Sequence, residues 1–157
     1  MAKPSRNSSA ADVIAGTRTF FVTSKAYGAG LLQSQRMAEL LIDVLRSYDG
    51  SGKFKVHDFV VMADHMHVLL TVDESITIEK AVQFIKGGFS FRVKKELGYL
   101  GEVWQRGFSE VRVMDRQSFL QHRAYIDENP VKARLVDAAE KFPFGSAYFK
   151  KQKERRG

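Results

Sequence analysis

The sequence predicts one α+β domain built from a four-stranded antiparallel sheet and amphipathic helices. Short runs of β-branched and aromatic residues alternate with longer segments whose apolar residues recur at helical spacing. The chain has 157 residues, of which 44% are hydrophobic, so it can bury one core of ordinary domain size. It contains no cysteine, which excludes disulfides and thiolate zinc sites.

Four segments have the composition of strands, and three have the periodicity of helices. The two-residue break at Ala63-Asp64 predicts a hairpin, so the strands on either side of it should be antiparallel neighbours. Pro130 should end the third helix at Asn129, because a proline disfavours helical geometry in the residue before it. In order, the predicted elements are a strand at 17–23, a helix at 34–48 capped by Ser34, strands at 54–62 and 65–72, a helix at 78–97 capped by Thr77, a strand at 111–113, and a helix that begins at Asp115 or Ser118.

This order is the β-α-β-β-α-β pattern of a ferredoxin-like split fold, with an extra C-terminal helix that carries Tyr125. We expect the domain to span residues 17–148, between a flexible arm at 1–16 and a basic tail at 149–157. The pair Gly87-Gly88 interrupts the second helix. Either a kink or the close approach of a phosphate backbone would explain these glycines.

The charge of the chain favours a polyanionic partner, nucleic acid first, because the formal net charge is +7. The predicted DNA-binding residues are Lys86, Arg92, Lys94 and Lys95 of the second helix and Arg106 of the following loop. The basic tail either extends this surface or is a disordered solubilising end. No apolar run approaches membrane-spanning length and the N-terminus has no apolar signal core, so we expect a cytoplasmic protein that does not bind membranes.

His65 and His67 stand two residues apart at the start of the third predicted strand. Side chains two apart in a strand point to the same face, so the two imidazoles project together. A neutral imidazole offers a lone pair to a divalent metal near pH 7. The spacing alone leaves two interpretations open, a shared metal ion or histidines that are hydrogen-bonded within the core.

The last predicted helix places Tyr125 and Asn129 four residues apart, on one face. The amide oxygen of Asn129 would complete a metal site with the two histidines and leave positions open for a substrate phosphate. A tyrosine oxygen can attack a phosphodiester and form a covalent phosphotyrosine, while a metal balances the developing charge. The alternative is that Tyr125 only packs its ring on the sheet.

Three ordered segments resemble the single-tyrosine HUH transposases, the family of IS200-type and REP-associated tyrosine transposases. Residues 62–70 (MADHMHVLL) resemble the family's M-P-N-H-x-H segment and the three hydrophobic residues that follow it. Residues 103–108 (VWQRGF) resemble W-Q-x-x-F, and residues 125–136 (YIDENPVKARLV) resemble Y-I-x-x-N-P-V-+-A-G-L-V. The chain departs from this pattern at Ala63-Asp64, where Pro-Asn is usual, and at Arg134, where glycine is common.

The resemblance implies a ferredoxin-like domain that cleaves single-stranded DNA associated with a hairpin. It implies that His65, His67 and Asn129 bind Mg²⁺ or Mn²⁺, and that Tyr125 forms a 5′-phosphotyrosine and frees a 3′-hydroxyl. Asp64 would either orient an imidazole or alter the metal preference. Relatives act as monomers or as homodimers, so both states stay open for this chain.

Two other functions are compatible with the same residues. One is a nucleic-acid-binding module of the same fold that no longer cleaves, which the retained set of His65, His67, Tyr125 and Asn129 disfavours. The other is a two-histidine metal phosphohydrolase, in which water replaces the tyrosine as nucleophile. A covalent DNA adduct distinguishes this second function, because a hydrolase leaves none.

Overall fold

The computed structural model describes residues 16–156, so the predicted arm lies outside the described residues except for Gly16. One antiparallel sheet, with strand order β2-β3-β1-β4, carries α-helices on both faces. The α+β fold class and the order of elements predicted from the sequence are confirmed. The strands are β1 (Arg18–Lys25), β2 (Lys55–Val61), β3 (His65–Val72) and β4 (Ser109–Val113), and the helices are α1 (Gln35–Ser51), α2 (Ile78–Leu97), α3 (Arg116–Lys132) and α4 (Ser146–Arg156).

The two faces of the sheet have separate cores. The face that carries Val22, Met66 and Val68 packs against α1 and α2. The opposite face carries Leu69, which packs with Ile126 of α3. Because side chains alternate along a strand, His65 and His67 share a face with Leu69. The histidines therefore lie on the α3 side of the sheet.

Side-chain caps fix the starts of three helices, and two of these caps were predicted. The hydroxyl of Ser34 accepts a hydrogen bond from the Met37 N–H at 3.4 Å, and that of Thr77 accepts one from the Lys80 N–H at 3.1 Å. Of the two candidate starts for α3, the structure selects Asp115, whose carboxylate accepts from the N–H of Ser118 at 2.8 Å. Each cap satisfies a donor that the first helical turn leaves unpaired.

Helix α3 continues past Pro130 to Lys132, so its predicted end was wrong. Proline has a helical φ and removes only one N–H donor, so it can sit in the last turn. A Schellman motif then ends the helix: Leu135 N–H donates to the Pro130 carbonyl and Arg134 N–H to the Val131 carbonyl, both at 2.9 Å. Arg134 has a φ of 61°, the conformation that favours glycine, which accounts for the glycine common at this position in the resembling family.

The basic tail forms most of α4, so the interpretation of a disordered end was wrong. The ring of Phe149 packs against the core, and Lys150 forms an ion pair with the buried Asp58. These contacts hold α4 against the edge strand β2. In the described part of the chain, no helix is long and apolar enough to cross a membrane.

The two glycines inside α2 differ in their surroundings. A Cβ added at Gly88 would lie 2.9 Å from the hydroxyl oxygen of Tyr48, so this glycine lets α1 and α2 approach each other. A Cβ at Gly87 would meet nothing within 4 Å. Packing between the two helices, which the sequence analysis did not consider, accounts for Gly88.

We therefore predict that Gly87→Ala raises the free energy of unfolding by about 1 kcal/mol, the usual difference between these residues in a helix. Gly88→Ala gains the same helix propensity but displaces Tyr48, so it should stabilise less or destabilise. Urea unfolding of the two variants beside the wild type measures the difference. A larger gain for Gly88→Ala than for Gly87→Ala would contradict this account.

Candidate active site

The two histidines lie beside each other at the start of β3, next to the hairpin that joins it to β2. Their ring centroids are 4.7 Å apart. His67 is 6% exposed and stacks on the ring of Phe21, whose centroid is 5.1 Å away. His65 is half-buried, at the open edge of the pair. The pair therefore faces solvent on one side and an aromatic wall on the other.

In each imidazole, the Nδ1 atom is already engaged. Asp64 Oδ1 lies 2.7 Å from His65 Nδ1, and Thr23 Oγ1 lies 2.8 Å from His67 Nδ1. Such contacts fix the orientation of a ring and leave its Nε2 atom for a metal. Of the two roles predicted for Asp64, this geometry favours the orienting one. Sequence reasoning missed Thr23, whose only signal is its place at the end of the first predicted strand.

Burial keeps His67 in the form that binds metal. Burial, reinforced by the neighbouring His65, lowers the pKa of His67 to about 4. At neutral pH this ring is uncharged and its lone pair is available. The hydrogen bond with His65 lowers the pKa of Asp64, which keeps that carboxylate ionised.

Helix α3 brings Tyr125 to the histidines. Its ring centroid lies 5.3 Å from that of His67 and 5.8 Å from that of Phe21, with the rings edge to face. Tyr125 is 48% exposed, whereas the next residue, Ile126, is buried against the sheet. The burial of Ile126 anchors the helix, so the phenol stands beside the imidazoles and is open to a substrate.

Asn129, the predicted third ligand, lies one helical turn after Tyr125 and is half-buried. The described residues contain no group of three or more His, Cys, Asp or Glu side chains that could hold a metal ion. A divalent ion at His65 and His67 would therefore take its remaining ligands from an amide, from the substrate or from water. The donor set of two imidazoles with free Nε2 atoms fits such an ion.

A buried ion-pair network fixes α3 and α4 to the same strand. Asp58 of β2 is fully buried and accepts hydrogen bonds from Arg123 Nε at 2.8 Å and from Ser146 Oγ at 3.2 Å. Lys150 of α4 pairs with the same carboxylate. Because Arg123 is two residues before Tyr125, this network helps to set the position of the tyrosine. Sequence reasoning missed Asp58, although an acidic residue inside an apolar strand was a signal.

The cations predicted on α2 lie away from this site. The apolar residues of α2 belong to the core on the other face of the sheet, so the sheet separates this helix from Tyr125. Arg92 pairs with Glu96 and Asp43. Lys94, Lys95 and Arg106 are exposed. The structure thus places the predicted DNA-binding residues of α2 across the sheet from Tyr125, whereas the loop of Arg106 adjoins the histidines, because Gln105 lines a pocket together with Asp64 and His65.

Lys86, also predicted to bind DNA, is engaged within the protein. Its ammonium donates hydrogen bonds to the carbonyls of Gln105 at 3.0 Å and Gly107 at 2.8 Å, and burial lowers its pKa. Trp104 is partly buried against the core, and its indole N–H donates to the Lys86 carbonyl at 3.0 Å. These contacts fix the loop that carries the W-Q segment to α2.

Comparisons with known proteins agree with this fold. Residues 17–129 match the family described as Transposase IS200 like, and the chain therefore belongs to the IS200-like transposase family. It is 28% identical over 139 residues to the REP-associated tyrosine transposase of Escherichia coli (strain K12), covering 83% of this chain and 76% of the relative. A Haemophilus influenzae protein that carries the same name provisionally is 23% identical over 148 residues, covering 82% of this chain and 83% of the relative.

Among solved structures, the chain is similar to a REP-associated tyrosine transposase bound to a REP hairpin. The TM-score is 0.64 at 28% sequence identity, and the match covers 82% of this chain and 76% of that chain. The match includes the four-stranded sheet and the helices on its faces. The role of a transposase follows from the family.

The low pKa of His67 predicts a specific pH dependence of stability. The folded pKa of about 4 lies below the unfolded value of about 6.5, so the unfolded chain binds more protons between these two values. The contribution of His67 to stability is therefore complete above pH 6.5 and is lost as the pH falls towards 4.

Two measurements on metal-free protein check the predicted pKa of His67 and the predicted loss of stability. NMR titration of the imidazole carbon-bound protons should place the midpoint of His67 near pH 4, and urea unfolding should show stability falling across the same window. His67→Gln, which cannot titrate, should lose this part of the slope. A midpoint for His67 near 6.5 would contradict the burial argument.

Proposed function

We propose that this protein is a metal-dependent DNA strand transferase that cleaves single-stranded DNA next to a hairpin through a covalent 5′-phosphotyrosine. One observation carries the proposal. The exposed phenol of Tyr125 lies beside two imidazoles whose Nδ1 atoms are engaged and whose Nε2 atoms are left for a metal. The REP hairpin bound by the similar solved structure supports a hairpin as the DNA partner.

The reaction we propose is a transesterification at one phosphodiester. The hydroxyl oxygen of Tyr125 attacks the phosphorus, the Oη–P bond forms, and the P–O3′ bond breaks. Tyr125 loses its proton and the departing 3′-oxygen gains one, so a free 3′-hydroxyl and a 5′-phosphotyrosine remain. A later attack by a 3′-hydroxyl on the phosphotyrosine reverses these bond changes and releases the tyrosine.

Each residue of the site has a separate role in the proposed reaction. His65 and His67, with Asn129 as third ligand, would hold Mg²⁺ or Mn²⁺, which when bound supplies positive charge to the phosphate oxygens. Asp64 and Thr23 hold the two imidazoles in position. Phe21 packs against both His67 and Tyr125, so it limits water on that side of the phenol.

The position of Tyr125 on a helix suits a nucleophile that must meet a phosphate in line. The Arg123–Asp58 ion pair and the burial of Ile126 restrain the helix on both sides of the tyrosine. Pre-organisation of this kind supplies much of the rate of an intramolecular step, because the reacting atoms need little further ordering. The proposal therefore needs no large movement of α3.

We predict that Tyr125→Phe abolishes cleavage and spares hairpin binding, because only the attacking oxygen is lost. The assay mixes the protein with labelled single-stranded DNA that contains hairpins from its own genomic flanks, with Mn²⁺ or Mg²⁺, and follows a covalent adduct on a denaturing gel. Tyr27→Phe is the matched control, because it removes the hydroxyl of another exposed tyrosine. It should form the adduct as the wild type does.

The outcomes separate the three functions. A metal-dependent adduct that requires Tyr125 supports the strand transferase. Cleavage without an adduct, unchanged in Tyr125→Phe, would identify a hydrolase that uses water. Hairpin binding without cleavage, across all flanking hairpins, would identify a binding module.

A further inference from the structure

A groove runs along the edge strand β2, between α1 on one side and α4 on the other. Its cavity volume is about 740 Å³. Four cations line it, Arg46 of α1 and Lys150, Lys153 and Arg156 of α4, against one acidic residue, Asp49. We call this feature the α1–α4 groove. It lies apart from His65 and His67, at the other end of β2 from the hairpin to β3, and His57 of β2 lines it.

The charge of the α1–α4 groove is largely uncompensated. Its acidic residue is occupied, because Asp49 accepts a hydrogen bond from the Val56 N–H at 2.9 Å and lies 3.8 Å from Lys55 Nζ. Within the described residues, Arg46, Lys153 and Arg156 have no ion-pair partner. On α2, by contrast, Arg92 is paired with two carboxylates. Three cations of the groove are therefore available to a polyanion.

The rings of Tyr148 and Phe149 in the groove are packed against each other and against a groove cation. The guanidinium of Arg46 lies 4.7 Å from the centroid of the Phe149 ring, and the ring of Tyr148 packs against the same phenylalanine at 5.4 Å. Single-stranded DNA is usually held by aromatic rings on which bases stack. A groove that offers cations and keeps its rings packed is suited to a sugar–phosphate backbone.

The wall of the groove is fixed to the catalytic helix. Lys150 and Ser146 of α4 both contact the buried Asp58, and Arg123 of α3 contacts the other oxygen of that carboxylate. A duplex bound in the groove would therefore sit on a surface that is rigidly connected to Tyr125. This connection sets a fixed relation between a bound stem and the strand to be cut.

We propose that the α1–α4 groove binds the sugar–phosphate backbone of the paired stem of a DNA hairpin, an inference that rests on the proposed function. Lys153 and Arg156 are three residues apart on α4, so they lie on one side of the helix and face the groove together. Arg46 contributes from the opposite wall. These contacts are independent of base sequence, and they orient the stem while the single strand reaches Tyr125.

The same helix supplies a matched control. Lys151 and Arg155 carry equal charge but do not line the groove. The double variants Lys153→Ala/Arg156→Ala and Lys151→Ala/Arg155→Ala therefore remove the same net charge from α4. They differ in position and in the exposed contact of Lys151 with Glu154, at 3.9 Å. Lys153→Arg/Arg156→Lys keeps the charge of the groove and should bind DNA much as the wild type does, while circular dichroism checks that each variant is folded.

Hairpin binding is measured by fluorescence anisotropy over a series of salt concentrations. The groove variant should weaken binding roughly tenfold and lower the slope of log K against log salt by about 2, one unit per lost phosphate contact. The control variant should change both quantities much less. Equal losses in the two variants, or no loss in either, would overturn the assignment, as would an equal loss for an unpaired strand of the same length.

A failure of this inference can be told from a failure of the proposed function. If the wild-type protein forms the covalent adduct but the groove and control variants bind the hairpin equally, the groove is not the stem-binding surface and the strand-transferase function stands. If the wild-type protein forms no adduct but hairpin binding depends on the groove, the proposed cleavage is rejected and the groove stands as the stem-binding surface.

Discussion

The packing of α3 across the sheet is the constraint on which the site depends. Ile126 is buried against the strands, and Arg123 pairs with Asp58, a carboxylate that has no exposed surface. Burial of a carboxylate costs several kcal/mol unless cations and hydrogen bonds compensate it. Here the compensation comes from two different helices, so the charged network makes α3 and α4 depend on each other. Tyr125 is held beside His67 as a consequence.

The two faces of the sheet have different tasks. The face covered by α1 and α2 holds the larger apolar core and carries no residue of the candidate site. The other face holds the histidines and receives Tyr125 from α3. The proposed metal ligands lie on a strand and the proposed nucleophile on a helix, so both are rigidly supported, which is the arrangement that keeps reacting groups in position. The DNA hairpin would then be bound at the edge of the sheet, in the α1–α4 groove.

Short-range patterns in the sequence predicted the features of the structure that depend on neighbouring residues. The strands, the caps at Ser34 and Thr77 and the shared face of His65 and His67 follow from spacing and residue type. The helical spacing to Asn129 singled out Tyr125, the resemblance to the family implied its role as nucleophile, and the structure brings it to the histidines. What the sequence could not supply were contacts between distant segments. Asp58 meets Arg123 and Lys150 only after the chain folds. This pairing holds α4 against β2, where cations of α4 line the α1–α4 groove.

The central claim is that a metal held by His65 and His67 lies beside Tyr125, and paramagnetic broadening by Mn²⁺ tests it most directly. Substoichiometric Mn²⁺ added to isotope-labelled protein should broaden the NMR signals of His65, His67 and Tyr125 first. The signals of Gly88, on the other side of the sheet, should stay sharp. Broadening centred on a group of carboxylates elsewhere in the protein, with the signals of Tyr125 unaffected, would contradict the account.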